Sequence, residues 1–323
     1  MLNPEGQLDE GVRYRKVGML DKALEQYETA AVSARDPALL SEALTREASV
    51  YRVQCDWNQA ISAARQAAEV ALGARLTAQY AEALTAEAAV YQARGDFESA
   101  VPLYEQALVE TTDERVRGIA LQNLGAIAAQ RADLRSAERY FWKSFRSFRR
   151  ARYDRGEAFS LNNCAAVALD RGRVKLAKVL GEQAMTAAQK IGDYELLGVA
   201  AVNSAEALAA EGELAKAEGL VRAALEYFTT TDTDLHRAEC LRALGDLALR
   251  QGDPAGAARY FSHAAGLAEA AGAQTQAARY RDCLAVAMKG ERAADLPAGP
   301  PEAPPPKEER RDVEGGEPPD VRA

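Results

Sequence analysis

Residues 121–142 read LQNLGAIAAQRADLRSAERYFW, and residues 241–262 read LRALGDLALRQGDPAGAARYFS. Both carry a Leu-Gly step (Leu124-Gly125, Leu244-Gly245), then a small residue (Ala132, Gly252), an alanine (Ala137, Ala257) and an aromatic (Phe141, Phe261). Working outward, the small-residue-then-alanine pair recurs as Gly18/Ala23, Cys55/Ala60, Gly95/Ala100, Gly172/Ala177 and Gly212/Ala217. The seven occurrences are spaced 37, 40, 37, 40, 40 and 40 residues apart. Two more columns keep the register. Twelve residues after each turn stand Ala30, Ala67, Ala107, Ser144, Ala184, Ala224 and Ala264; seven before it stand Gly11, Ala48, Ala88, Gly125, Ala165, Ala205 and Gly245. A fixed period of this length marks a stack of supersecondary units.

The columns predict helix packed on helix, because small residues let two backbones approach closely. The turn glycine supplies a left-handed cap for the first helix. Asp56, Asp96, Asp133 and Asp253 stand where a carboxylate caps the second helix, and Pro254 takes the first helical position. Tyr14, Tyr51 and Tyr91 before the turn, and Tyr27, Tyr104, Phe141 and Phe261 after it, fill the space between columns. Gly181 and Val221 replace that second aromatic in units five and six, which predicts looser packing there. Pro102 falls inside a second helix and removes one of its hydrogen bonds. The expected fold is all-α: seven antiparallel helix pairs, closed by an unpartnered capping helix over 274–289.

On the Leu-Gly step, the tyrosines before the turn and the Ala-x-x-x-aromatic of the second helix, the sequence resembles the tetratricopeptide repeat (TPR) family over about residues 5–290. The family's opening Trp is replaced by leucine (Leu44, Leu84, Leu121, Leu161, Leu241), and the proline that usually ends its second helix is absent. In repeat length the chain is similar to kinesin light chains and bacterial peptide-sensing regulators. The resemblance implies a right-handed α-α superhelix and a function in binding proteins or peptides.

The chain has 323 residues, 48% hydrophobic but only 7% aromatic, with net charge −8. Its acidity argues against a general nucleic-acid binder. No run of 18 apolar residues occurs and the start, MLNPEGQLDE, lacks a basic-then-apolar signal, so a membrane or secretory role is not expected and a cytoplasmic location is. Cys55, Cys164, Cys240 and Cys283 lie far apart, and with two histidines they suggest neither a disulfide framework nor a metal site. Phosphate loops, nucleophile elbows and H-E-x-x-H are lacking, and neither His236 nor His263 has a nucleophile at a recognisable spacing. Neither enzyme activity nor a cofactor is expected. Residues 1–290 should form the solenoid. Residues 291–323, which hold eight of the twelve prolines amid many charges, should be a disordered tail, the first part digested by protease.

Two features point to binding surfaces. The first helices of a helix-pair stack line a concave groove. Nine residues before the turn, the middle units place Asn123, Asn163 and Asn203, and thirteen before it Ile119, Phe159 and Val199; Gln122 and Asn162 widen the polar strip. Arg46 and Glu82 on one flank, and Glu239 and Arg242 on the other, turn the same columns charged. Asparagine is about 0.5–0.7 kcal/mol worse than alanine inside a helix. A primary amide, however, both donates to and accepts from a peptide unit, which suits an extended peptide. By resemblance to kinesin light chains, that groove role carries to Asn123, Asn163 and Asn203. The alternative is an amide ladder linking neighbouring first helices. The second feature is Arg135, Arg139, Lys143, Arg146 and Arg150, on one helical face with Trp142, Phe145 and Phe148 interleaved. It reads either as a surface for an anionic partner, nucleic acid included, or as a stripe paired with acids such as Glu98 and Glu105 over buried aromatics. The expected function is a protein- or peptide-binding scaffold. A peptide-sensing regulator of a separate effector is the alternative, with a nucleic-acid adaptor behind it.

Overall fold

The computed structural model describes residues 3–231 and 233–290; the tail expected at 291–323 lies outside them. Among the described residues fifteen helices follow one another and no strand occurs. The first pairs are α1 (Pro4–Lys16) with α2 (Leu20–Ser33), α3 (Pro37–Val53) with α4 (Trp57–Gly73), and α5 (Thr77–Ala93) with α6 (Phe97–Glu110). Next come α7 (Glu114–Gln130) with α8 (Leu134–Arg150), and α9 (Asp154–Asp170) with α10 (Val174–Ile191). Then follow α11 (Tyr194–Ala210) with α12 (Leu214–Thr230), α13 (Asp234–Arg250) with α14 (Pro254–Ala270), and the closing α15 (Gln274–Met288).

Every turn residue read from the repeat adopts the left-handed conformation. Gly18, Gly95, Gly172, Gly212 and Gly252 have φ between 70° and 86°, and Cys55 and Ala132 have 60° and 58°. A Cβ in that region costs about 1–2 kcal/mol. Ala132→Gly is therefore expected to stabilise the chain by about 0.5–1 kcal/mol, after allowance for glycine's looser unfolded state. A lower urea midpoint for the variant would contradict this account of the turn. Just past four of the seven turns, the Asp56, Asp96, Asp133 and Asp253 carboxylates accept from the amides of Gln59, Ser99, Ser136 and Gly256 at 2.8–3.2 Å.

The 37-residue spacings have a local cause. Helices α2 and α6 are 14 residues long where the other second helices have 17 or 18, and each ends on an extended residue, Ala34 or Thr111. Inside the pairs, the glycine column makes room for the aromatic column. A Cβ on Gly125 would lie 2.7 Å from the Phe141 ring, and one on Gly245 2.5 Å from Phe261. Gly181 and Val221, where looser packing is expected, are both buried. Ser204 of α11 occupies the space beside Gly181, whereas Val221 borders a cavity of about 270 Å³.

Odd-numbered helices pack on their even-numbered partners and also directly on the next odd-numbered helix, α3 on α5 and α9 on α11 among them. Even-numbered helices have no such mutual contact of comparable extent. The shorter spacing puts the odd-numbered row on the inner side of the coil. No helix among the described residues is long and apolar enough to cross a membrane.

Candidate functional site

The inner row encloses a cavity of about 930 Å³ at its N-terminal end, walled by α1, α3, α5 and α7. These helices run parallel, so residues at matching offsets from the turn form bands across the groove. Arg46, Ile119 and Asn123 are among the residues that line it. Arg46 is bound within α3 to Glu42, its Nε 3.0 Å from Oε1. Glu82 faces the same space, and its carboxyl is raised above the usual range by crowding from the walls and then by Glu42.

The asparagine column divides. Nδ2 of Asn203 donates to Oδ1 of the buried Asn162 at 2.9 Å, so these two amides link α11 to α9. Asn123 and Asn163 are half-buried and make no hydrogen bond to another described residue. Gln122 turns its Oε1 inward, where it is buried without a partner among the described residues. The apolar column is open to solvent: Phe159 is 36% exposed, and Ile119 and Val199 are half-buried.

Arg242 requires a correction. Expected as an open charge on the groove flank, it is 6% exposed and held among Glu206, Glu239 and Asp246. Three carboxylates each accept one of its N–H groups, so it serves the packing of α11 against α13 at the border of the cavity of about 270 Å³.

On α8 the five cations Arg135, Arg139, Lys143, Arg146 and Arg150 are exposed on the outer face. The expected pairing with Glu98 and Glu105 does not form: Glu98 binds Arg131 at 2.5 Å, and only Arg150 of the five has an acid nearby, Glu114 at 3.5 Å. The aromatics turn inward. Phe148 is 1% exposed, and Trp142 meets Phe145 edge-on at 5.7 Å while packing on the core. The charge is left outside, with only the partly buried Trp142 and Phe145 near it.

One inner band was not read from the sequence. Three residues before the first three turns stand Arg15, Arg52 and Gln92, and all three line the cavity. Their common offset was the available signal. Elsewhere the chemistry is quiet: burial pushes the Cys164 and Cys240 thiols up to about 12 and Cys283 up to about 11, which keeps them protonated and inert. No cluster of metal-ligating residues occurs among the described residues.

No protein-family model and no curated protein matches the chain. Solved structures do. A Rap protein complexed with Competence and Sporulation Factor aligns over 91% of this chain and 83% of its own, with TM-score 0.67 and 13% identity. The apo form of the quorum sensor NprR from B. thuringiensis aligns over 81% of this chain and 75% of its own, with TM-score 0.67 and 15% identity. A tetratricopeptide repeat protein from Parabacteroides merdae ATCC 43184 aligns over 88% and 98%, with TM-score 0.53 and 18% identity. The fold is a TPR-like helical solenoid. At these identities the likeness concerns the path of the backbone. The TPR-like solenoid of this chain carries its own set of groove side chains.

Proposed function

We propose that the chain is a non-enzymatic binding module that takes a peptide, or an extended segment of a protein, along its inner row of helices. The observation that carries this reading is the cavity of about 930 Å³, lined by polar and half-exposed apolar side chains from four parallel helices. Asn123 and Asn163 keep amides ready for a peptide backbone, beside the open apolar positions Ile119, Phe159 and Val199. A cavity of this size suits a ligand of several residues. The likeness to the quorum sensor NprR and to a Rap protein seen with Competence and Sporulation Factor favours the sensing form of this reading, in which occupancy alters a separate effector.

Two asparagines separate binding from mere helix linkage. Asn163→Ala is expected to leave the melting temperature unchanged or slightly raised, because alanine is the better helix former. Affinity for a peptide selected from a random library should drop by about 1–3 kcal/mol. Asn203→Ala, which breaks the link to Asn162, should instead lower stability. Loss of stability without loss of affinity in Asn163→Ala would end the assignment of that residue to the groove.

The exposed cations of α8 favour a second, outer surface for an anionic partner. Phe148 is buried and Trp142 and Phe145 are partly buried against the core, which leaves little ring face for bases and favours an acidic protein over a single-stranded nucleic acid. Retention on a heparin column should fall in an Arg139→Glu, Arg146→Glu double variant. Equal retention of the two proteins would dismiss this surface.

A further inference from the structure

We propose that residues 312–320 of this chain, DVEGGEPPD, dock along the basic stripe of α8, so that the protein covers its own outer surface until an acidic partner displaces the segment. The proposal rests on the reading of α8 as a surface for an anionic partner and names the first occupant of that surface. Arg135, Arg139, Lys143, Arg146 and Arg150 follow steps of 4, 4, 3 and 4 residues, and Arg149 stands beside them; all six are exposed. Arg150 alone of the six pairs with an acid among the described residues, Glu114 of α7 at 3.5 Å. Arg139 meets only its own helix, donating to Ser136 Oγ at 3.3 Å and lying 5.6 Å from the centre of the Tyr140 ring. The one acid within α8, Glu138, is taken at both oxygens by Arg171 and Arg173, from the turn between α9 and α10.

Like charges three and four residues apart on a helix repel, so the stripe weakens α8 unless something covers it. Other cations of the outer row meet acids: Lys178 of α10 bonds Glu211 and Glu213 at 2.8 and 2.7 Å, and Arg222 of α12 reaches Glu218 at 2.7 Å. The helices on either side of α8 offer Glu105 on α6 and Glu182 on α10, each ten residues past its turn and exposed, and neither pairs with the stripe. Two acids beside six cations leave a surplus. Packing of Trp142, Phe145 and Phe148 accounts for the inner side of α8 and says nothing about its outer side. The chain as a whole is acidic, at net −8, so a helix this basic does not reflect a general excess of base.

The complement stands in the same chain, outside the described residues. Between 312 and 320 come Asp312, Glu314, Glu317 and Asp320, and no base. Lys307, Arg310 and Arg311 just before them are matched by Glu302, Glu308 and Glu309, and Arg322 follows. Extended at about 3.3 Å per residue, the segment is about 26 Å long; Arg135 to Arg150 covers about 22 Å at helical rise. Reach also suffices. Gly290 closes α15 on the edge of the coil where α8 begins, and α7 and α8 lie four units back, about 40 Å at the spacing of packed helices. The 22 residues from Gly290 to Asp312 can span about 70 Å. A tether of this length keeps the local concentration of the segment high, so a few screened charge pairs suffice to hold it. Such a contact leaves unchanged the protease sensitivity expected of residues 291–311.

The test uses the full chain. A carbodiimide joins a lysine amine to a carboxylate, the water passing to the carbodiimide as its urea, and Lys143 is the one lysine of the stripe. Treatment followed by peptide mass mapping should link Lys143 to Asp312, Glu314, Glu317 or Asp320 within monomeric protein. The link should vanish in about 1 M salt, where screening acts over about 3 Å. A second measurement reads the surface itself. The full-length variant Asp312→Asn, Glu314→Gln, Glu317→Gln, Asp320→Asn should leave a heparin column at higher salt than wild type, because its stripe is uncovered. These changes also make the whole chain less acidic, so they are repeated in the Arg139→Glu, Arg146→Glu background, where the shift should fall to less than half. An equal shift in both backgrounds overturns the proposal. So does a Lys143 that links to none of the four acids, or links to them only between two copies of the chain. In each of those cases the stripe remains a surface for another anionic partner if Arg139→Glu, Arg146→Glu alone still weakens retention. Retention that this pair leaves unchanged removes the surface and the proposal together.

Discussion

Arg242→Ala is expected to lower stability by about 3–5 kcal/mol, the usual loss when one side of a buried ionic cluster is removed. Arg242 reaches Glu239 at 2.7 Å and Asp246 within α13, and Glu206 across on α11. The hydroxyl of Tyr280 on α15 donates to the other oxygen of Glu239 at 2.7 Å, so three helices converge on the cluster. Without the guanidinium, three carboxylates would share one half-closed space. Asp246 is already near that limit: burial, only partly relieved by Arg242, raises its carboxyl to about 6. Arg242→Lys should recover little, because one ammonium cannot serve three acids at the angles a guanidinium spans. Urea titration followed by far-ultraviolet circular dichroism gives the number. A loss below about 1 kcal/mol for Arg242→Ala would mean that the cluster is far wetter than its burial implies.

Glu47→Gln is expected to stabilise the chain by about 2–3 kcal/mol at pH 8 and by almost nothing near pH 4.5. Glu47 of α3 is 8% exposed and has no cation against it; burial first, and then Glu28 of α2, raise its carboxyl from 4.5 to about 7. Tyr51, on the same helix, donates to Glu28 at 3.2 Å and so brings no positive charge. One unit along, the matching residues are Arg65 and Glu87, which pair at 2.7 Å. The folded pKa lies above the unfolded one, so between about 4.5 and 7 the folded state holds the extra proton. Stability therefore falls as pH rises through that window, by at most about 3.4 kcal/mol at 1.36 kcal/mol per unit, and the full penalty remains above it. Glutamine keeps the shape and removes the charge. Glu28→Arg should act similarly by supplying the pair found in the next unit. The same gain for Glu47→Gln at pH 5 and pH 8 would show that the effect is not one of ionisation.

The turns and caps were legible in the sequence because local backbone rules fix them. A left-handed φ restricts residue type at Gly95 or Gly252, and a free amide two or three residues into a helix calls for Asp96 or Asp253 just before it. Such signals need only a few neighbouring residues. The fate of the polar groups on the inner row depends instead on how each helix is rotated toward the next. Asn162 and Asn163 are adjacent in sequence, yet about 100° of helical rotation separates a buried amide from an open one. Arg242 was read as a flank charge because its partner Glu206 lies 36 residues away, outside the 40-residue register, and only the coil brings the two together. The arginine band at Arg15 and Arg52 escaped for another reason. The inner face was taken from offsets nearer the middle of each first helix, and the cavity extends to the last turn.

The packing pattern of the odd-numbered helices has a mechanical consequence. Among the described residues substantial contacts join each helix only to the next one or two along the chain, so no strut among them ties one end of the coil to the other. Such an object deforms as a spring does: a rotation of a degree or two at each interface adds up along fifteen helices to a large change in pitch. The row of small residues keeps each interface thin, and the glycine beneath an aromatic leaves it little side-chain padding. A molecule lodged across α1, α3, α5 and α7 would act as a splint on one segment, locking its local pitch and leaving the remaining turns compliant.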